Sequence, residues 1–317
     1  MARRSETGGR LDDAARAGWL YYVAGRTQDE IAAAMGISRQ SAQRLVSLAV
    51  AERLIKVRLD HPIAECLELA QRLKQRFALR YVDVVPTDPA STSTTVGIAE
   101  AGAAEIERWL KRPDPIVLAV GTGRTLKAAI DQLPAMECPQ HRIMSLTGNL
   151  GPDGSAAYYN VIFSMADAVK ARHFPMPLPV LVSSAEEREL LHRQSLVQRA
   201  LKLGEEADVA FVGIGELGPD APLCEDGFLG RDEMARLMEQ GAAGEICGWM
   251  FDREGVLMPG SINERVASVP LPSTDRATVI GLAKGKRKHL AILSALKGRM
   301  INGLITDEAT ARYLLSV

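Results

Sequence analysis

The segment Gly121-Thr122-Gly123-Arg124-Thr125 concentrates backbone amides free of bulky side chains, two hydroxyls and a guanidinium. It follows the apolar run Ile116–Val120 and opens a helical pattern, so its amides would face an anion, with the helix dipole adding to the attraction. A tight strand-to-helix turn that simply needs glycine is the alternative reading of the same residues. The spacing fits neither Gly-x-Gly-x-x-Gly nor Walker A, so no cofactor is expected. Two more glycine segments follow apolar runs: Thr147-Gly148-Asn149-Leu150-Gly151 and Gly213-Ile214-Gly215-Glu216. Gly148, Asn149, Gly213 and Gly215 therefore join Gly121, Thr122, Gly123, Arg124 and Thr125 as candidate ligand-binding residues. Glu216, Glu245 and Asp252 could each be nominated as a general base, but their spacing assembles no catalytic set. Glu245 and Asp252 remain candidate ligand contacts, with plain loop carboxylates as the alternative. Asn160 reads as a helix cap before a ligand contact. His141, His173, His192 and His289 stand isolated, and Cys66, Cys138, Cys224 and Cys247 form no Cys-x-x-Cys pair. Neither a metal site nor a disulfide framework is expected.

A second chemistry lies nearer the N-terminus. From Ser38 to Val50 there is no acidic residue, and Ser38, Arg39, Gln40, Ser41, Gln43 and Arg44 are the side chains that read and grip duplex DNA. Arginine pairs with guanine and glutamine with adenine in the major groove, while serine and arginine also hold phosphates. Thr27 and Gln28 open the preceding element and are added as candidate backbone contacts. An ordinary helical hairpin with a solvated polar face is the competing reading.

The elements that must position these residues follow from local pattern. Asp12 to Ala24 is helical, with Ala15, Trp19, Leu20 and Val23 on one face. Thr27-Gln28-Asp29-Glu30 matches a capping box, and the helix it starts stops at Gly36, suited to a left-handed cap. Ser38 then caps a helix from Arg39 to about Ala51. Small Ala32 and Ala42 at the crossing, glycine in the turn, and Ile31, Met35, Ile37, Leu45 and Val46 around them make a helix-turn-helix. Leu54–Leu59 alternates apolar and basic residues and reads as a strand, either a wing beside the DNA or the strand closing the small domain. Ile63 to Phe77 reads as an amphipathic linker helix that pairs protomers. From Leu79 onward short apolar strands alternate with helices: strands at Tyr81–Val85, Ile116–Val120, Arg142–Leu146, Val180–Val182, Val209–Ile214 and Ala277–Leu282, and helices at Thr95–Lys111 and Leu126–Leu133. That alternation predicts a mainly parallel, Rossmann-like α/β sheet with ligand sites beyond the strands' carboxyl ends. The expected domains are a disordered tail at 1–10, the DNA-binding module at 11–60, a linker helix at 61–78 and an effector domain at 79–317.

The 317 residues suffice for about two domains, and a composition of 47% hydrophobic and 24% charged residues is that of a globular chain. The net charge of −1 hides an asymmetry: residues 1–60 carry ten Lys/Arg against seven Asp/Glu, the remainder 28 against 32. A mildly basic end on an acidic body suits nucleic-acid contact. The start has no apolar signal region and no apolar run reaches a membrane span, so a cytoplasmic chain without a membrane partner is expected.

Several segments together resemble the SorC family of sugar-responsive, DeoR-like bacterial transcriptional regulators, over almost the whole chain. They are Thr27–Arg53, Val120–Leu126, Ala207–Gly215, Gly244–Asp252 and Ile305–Ala311. The resemblance implies an effector domain like sugar-phosphate isomerases in fold, a sugar, polyol or sugar-phosphate effector, operator double-stranded DNA as partner, and a homodimer or homotetramer. It also implies that Gly121–Thr125 is a phosphate loop, that Glu245 binds sugar hydroxyls, and that Lys288, within the basic run Lys284, Lys286, Arg287, Lys288, lies near the phosphate. Some phosphosugar-binding relatives carry arginine where this chain has Thr147, which leaves a monophosphate, free sugar or polyol open. The Ile305–Ala311 segment reads as structural. The function expected is control of a carbohydrate or polyol catabolic operon, without enzymatic activity; the alternative is a sugar-phosphate isomerase or deaminase with an accessory DNA-binding module.

Overall fold

The computed structural model describes residues 2–52, 54–55, 63–91, 93–151, 153–156 and 159–317. It divides into two compact units, 1–61 and 62–317. The first holds α1 (Ala2–Tyr22), α2 (Gln28–Met35) and α3 (Arg39–Ala51). The second begins with α4 (Ala64–Arg76), β1 (Tyr81–Val85), α5 (Ile98–Leu110), β2 (Val117–Val120), α6 (Arg124–Ile130), β3 (Arg142–Leu150), α7 (Val161–Val169) and β4 (Arg172–Pro179). It continues through α8 (Ala185–His192), α9 (Ser195–Glu205), β5 (Val209–Gly213), α10 (Pro222–Glu225), α11 (Arg231–Glu239), β6 (Ala242–Ile246) and β7 (Trp249–Asp252). It closes with α12 (Ser261–Glu264), β8 (Thr278–Leu282), α13 (His289–Lys297), β9 (Gly303–Asp307) and α14 (Glu308–Ser316).

In the first unit the local signals act as read. The Thr27 hydroxyl accepts from the Glu30 amide at 3.3 Å, and the Thr27 amide donates to the Glu30 carboxylate at 2.8 Å. Gly36 takes a left-handed φ of 66° and ends α2. Ala17, Ile31, Ala32, Ala42 and Val46 form the core, with Leu20, Met35, Ile37 and Leu45 around it. Two expectations differ. Helix α1 starts at Ala2, so the segment 1–10, expected to be disordered, is helical apart from Met1, which lies outside the described residues. Of the expected strand Leu54–Leu59, Leu54 and Ile55 sit in a bend, and the remainder lies outside the described residues.

The second unit is built on a seven-stranded sheet in the order β1-β9-β8-β5-β2-β3-β4, with every pairing parallel. Alternating strand residues feed two cores. Val117, Ala119, Met144 and Ala210 face α4, α9, α13 and α14, whereas Leu118, Val120, Ile143 and Phe211 face α5, α6 and α7. Helix α4 is therefore part of this unit and not a free linker: Cys66, Leu69, Ala70 and Leu73, at helical spacing, pack into the sheet's core. Strand β4, which the sequence reading passed over in favour of Val180–Val182, carries Pro175, Pro177 and Pro179. Prolines two apart turn their donor-free nitrogens to one side, which is tolerated because β4 is the sheet's edge. Leu181 makes only an isolated bridge to Val266. Strand β3 runs on to Leu150, so Thr147–Leu150 is strand rather than loop. A satellite core of Ala221, Leu229, Met234, Leu237, Met250, Met258 and Ile262 supports α10–α12 and the β6–β7 hairpin.

Candidate functional site

A cavity of about 500 Å³ opens at the carboxyl edge of the sheet. Strands β2 and β5 are neighbours there, although β3 and β4 extend to one side of them and β8, β9 and β1 to the other. That reversal of winding is where doubly wound sheets leave a crevice. The β2 loop and the first turn of α6 supply Thr122, Gly123, Arg124 and Thr125, the end of β5 and its loop supply Gly213, Gly215 and Glu216, and the β8 loop supplies Lys286, Arg287 and Lys288. The loop after β1 adds Thr87, Asp88, Ser91, Ser93 and Thr94, and the β6–β7 hairpin adds Glu245, Cys247 and Gly248.

One corner holds the strongest electrostatics. Lys288 Nζ lies 2.9 Å from a Glu216 carboxylate oxygen and donates to the Ile214 carbonyl at 2.5 Å. Burial pushes the Glu216 carboxyl upward, but Lys288 as charge and hydrogen-bond donor, with help from Arg287, holds it below its ordinary value. Glu245 is raised: burial dominates, the Gly248 amide and Lys288 oppose it, and Glu216 adds repulsion. The Glu245 carboxylate accepts from the Gly248 amide at 2.8 Å, while its backbone exchanges hydrogen bonds with Gly215 at 2.9 and 3.1 Å. A side chain on Gly215 would strike that carboxylate, its Cβ meeting Oε1 at 2.0 Å. Cys247 and Gly248 both take positive φ, 56° and 85°, in the two-residue turn of the hairpin. This is a type I′ arrangement that puts a non-glycine residue in left-handed space. Burial, and then Glu245, push the Cys247 thiol up, so it stays protonated.

The chain's last strand and helix hold the walls in place. Asp307 caps α14 by accepting from the Thr310 amide at 3.0 Å. The Thr310 hydroxyl accepts from the Gly285 amide at 3.0 Å, fixing the basic loop. Glu308 accepts from the Thr87 amide at 3.1 Å, and the Thr87 hydroxyl accepts from the Ala309 amide at 3.0 Å, fixing the β1 loop. Lys284 is buried and donates to the Val96 carbonyl at 2.8 Å. The Ile305–Ala311 segment thus clamps two loops of the cavity and also contributes Asp307 to its lining.

In the first unit, Ser38 caps α3, accepting from the Ser41 amide at 3.1 Å, and its hydroxyl lies 2.9 Å from that of Ser41. Arg39, Gln40, Gln43 and Arg44 are exposed, with Arg39 3.5 Å from Asp29. Thr27 is occupied in the capping box, and Gln28 opens α2.

Residues 61–316 match the family model described as "Putative sugar-binding domain", and residues 17–62 match the MarR family. The erythritol catabolism regulatory protein EryD of Brucella abortus is 32% identical over 95% of this chain and 96% of its own. The transcriptional regulator LsrR of an Enterobacter species is 33% identical over 96% and 92%. The solved full-length sorbitol operon regulator SorC of Klebsiella pneumoniae superposes with a TM-score of 0.72 at 26% identity, covering 95% of this chain and 97% of that one. The chain belongs to the SorC family of sugar-binding transcriptional regulators.

As a SorC-family protein it is a DNA-binding regulator and not an enzyme. The architecture is α/β with a parallel sheet, preceded by a winged-helix-like helix-turn-helix domain. No described helix is long and apolar enough to cross a membrane. The cavity unites Thr122, Gly123, Arg124, Thr125, Gly213, Gly215, Glu245 and Lys288 but not four other sequence candidates. Gly121 packs against Cys247, where a Cβ would meet Sγ at 3.1 Å, and Gly148 against β4, where a Cβ would meet the Leu178 carbonyl oxygen at 1.9 Å. The Asn149 amide donates to the Met176 carbonyl at 3.1 Å. Asp252 accepts from the Glu254 and Val256 amides at 2.9 Å in a turn. Asn160 stands before α7 without a side-chain capping bond. Sequence reasoning missed the β1 loop; its signal was a run of hydroxyls, Thr87 to Thr95, directly after a strand. Lys286 and Arg287, which the sequence marked only as part of a basic run around Lys288, also line the cavity.

Proposed function

We propose that this SorC-family regulator works in the cytoplasm as a homodimer or homotetramer on operator DNA. Its cavity takes a small sugar, polyol or sugar phosphate, and occupancy changes operator affinity at a carbohydrate or polyol catabolic operon. The observation that carries this reading is the cavity's lining: threonine and serine hydroxyls, carboxylates and cations converge in a space of about 500 Å³. That combination suits a small molecule bearing many hydroxyls and tolerating one negative charge, and the volume is in the range for small ligands. Relatives named for erythritol catabolism and a sorbitol operon favour polyols among the choices. Thr122, Gly123, Arg124 and Thr125 would form one wall, Glu245 would bind hydroxyls, and Lys288 with Lys286 and Arg287 would supply positive charge. In the other unit Thr27, Gln28, Ser38, Arg39, Gln40, Ser41, Gln43 and Arg44 would meet the operator. A coupling on the order of 1–3 kcal/mol between the two sites would alter DNA affinity roughly 5- to 150-fold.

The test is a thermal-shift screen of the full-length chain against sugars, polyols and their phosphates, followed by DNA titrations with and without each hit. At least one compound should raise the melting temperature and shift DNA affinity. A screen in which no compound does either would remove the effector reading.

A further inference from the structure

Helix α3 exposes Gln40, Gln43, Arg44 and Ser47, while Ala42, Val46 and Ala49 are buried. The exposed positions recur at intervals of three and four, so they share one face. A groove runs along that face, and its other wall is Arg10, in the first half of α1. Among the described residues, the groove's lining includes Arg10 and Arg44 and no acidic side chain. At the start of α3, by contrast, Arg39 faces Asp29 at 3.5 Å, which offsets part of its charge. The approach of α1 to α3 is set by Gly18, where a Cβ would meet Ala49 Cβ at 2.8 Å. Arg10 is therefore held beside α3 by packing and not by chance of a loose tail.

We propose that Arg10 is a DNA-contacting residue that grips the phosphate backbone beside the reader face, so that the DNA surface extends from α2 and α3 onto α1. The proposal rests on α3 being the reading helix. A helix seated in the major groove fills a channel roughly 12 Å wide that is rimmed by phosphates. A cation on a neighbouring helix, level with the reader's solvent face, meets that rim. Such a contact adds affinity and orientation without reading sequence. It also releases counterions, so it has a salt signature of its own.

The experiment uses full-length wild type, Arg10→Ala, Arg10→Glu and Arg44→Ala. Each is titrated across a salt series against a mixed-sequence duplex and against a duplex that the wild type selects from a random pool. Arg10→Ala should weaken binding to both duplexes by the same factor. It should also lower the slope of log affinity against log salt by about 0.9 for each Arg10 engaged, with Arg10→Glu weakening binding further. Arg44→Ala should reduce the preference for the selected duplex. Because the Arg10 side chain is exposed, both Arg10 variants should melt like wild type. Unchanged slopes in both Arg10 variants, with the preference lost in Arg44→Ala, would overturn the proposal and leave the reading helix standing. No change in any variant would overturn both. If Arg10→Glu dissociates the free protein in sedimentation while the slope stays unchanged, Arg10 contacts a second copy instead, and the proposal falls.

Discussion

Lys288 is paired to Glu216 and bonded to the Ile214 carbonyl. Truncating it uncovers a carboxylate that is itself only 11% exposed, so Lys288→Ala should lower stability as well as ligand affinity. The two effects separate when calorimetry is done on fully folded protein. With an anionic effector identified by the screen, Lys288→Ala should cost roughly 1.5–3 kcal/mol of binding and Thr125→Ala about 0.5–1.5. Unchanged affinity in both variants would mean that the effector site has been misplaced. Loss in Thr125→Ala alone would mark an uncharged ligand. The acid–base behaviour of this corner gives a second prediction. Burial raises Glu245, so between its ordinary and its folded pKa the folded chain holds a proton that the unfolded chain has released. Stability then falls as pH rises through that interval. Glu216 has the opposite sign: its folded pKa is lowered, so its contribution is present above the ordinary carboxylate range and is lost as pH falls through the folded value. Glu245→Gln should therefore flatten the decline of melting temperature above the ordinary carboxylate range and leave the acid-side loss in place. Parallel curves for wild type and variant would refute this.

At the scale of elements, the β3–β4 edge shows how a binding candidate becomes a packing residue. Gly148 lies in β3 opposite Met176, and its missing side chain is what lets the Leu178 carbonyl approach. Gly148→Ala should destabilise the second unit by about 1–3 kcal/mol through overpacking. DNA affinity per folded molecule should not change. Urea unfolding followed by DNA titration checks both halves, and a variant of wild-type stability would show that β4 can move aside. The β6–β7 hairpin makes the complementary point. Its Cys247-Gly248 turn holds Glu245 against the Gly215 backbone, so a carboxylate distant in sequence from the β5 loop becomes part of its wall.

For the whole molecule, one recognition helix reads only a few base pairs, and helix-turn-helix proteins reach full sites by pairing half-sites about one helical turn apart. Sedimentation of the complex with selected DNA should therefore show at least two chains per duplex. A single chain bound at full affinity would rule out the oligomeric reading. Ligand control of such a pair needs only a change in how the two reader helices are presented, for which a coupling on the order of 1–3 kcal/mol is enough.

What the sequence by itself determined is what neighbours along the chain decide. Thr27 and Glu30 cap one another, Gly36 turns left-handed, and the apolar runs at Val117–Val120, Val209–Gly213 and Thr278–Leu282 become strands. Capping bonds close within a few residues and side-chain periodicity is local, so both were legible, as was the glycine loop after β2. Only the tertiary structure decided the rest. Proline-bearing Arg172–Pro179 is a strand because it lies at a sheet edge, where missing donors cost nothing. Ile63–Phe77 read as a linker because its amphipathic pattern names no partner; the sheet supplies one for α4. Lys288 meets Glu216, and Thr310 and Glu308 clamp the basic and β1 loops, because the order β1-β9-β8-β5-β2-β3-β4 brings remote strand ends to one edge. That order is set by burying two cores at once, a sum over the whole unit that no local window contains.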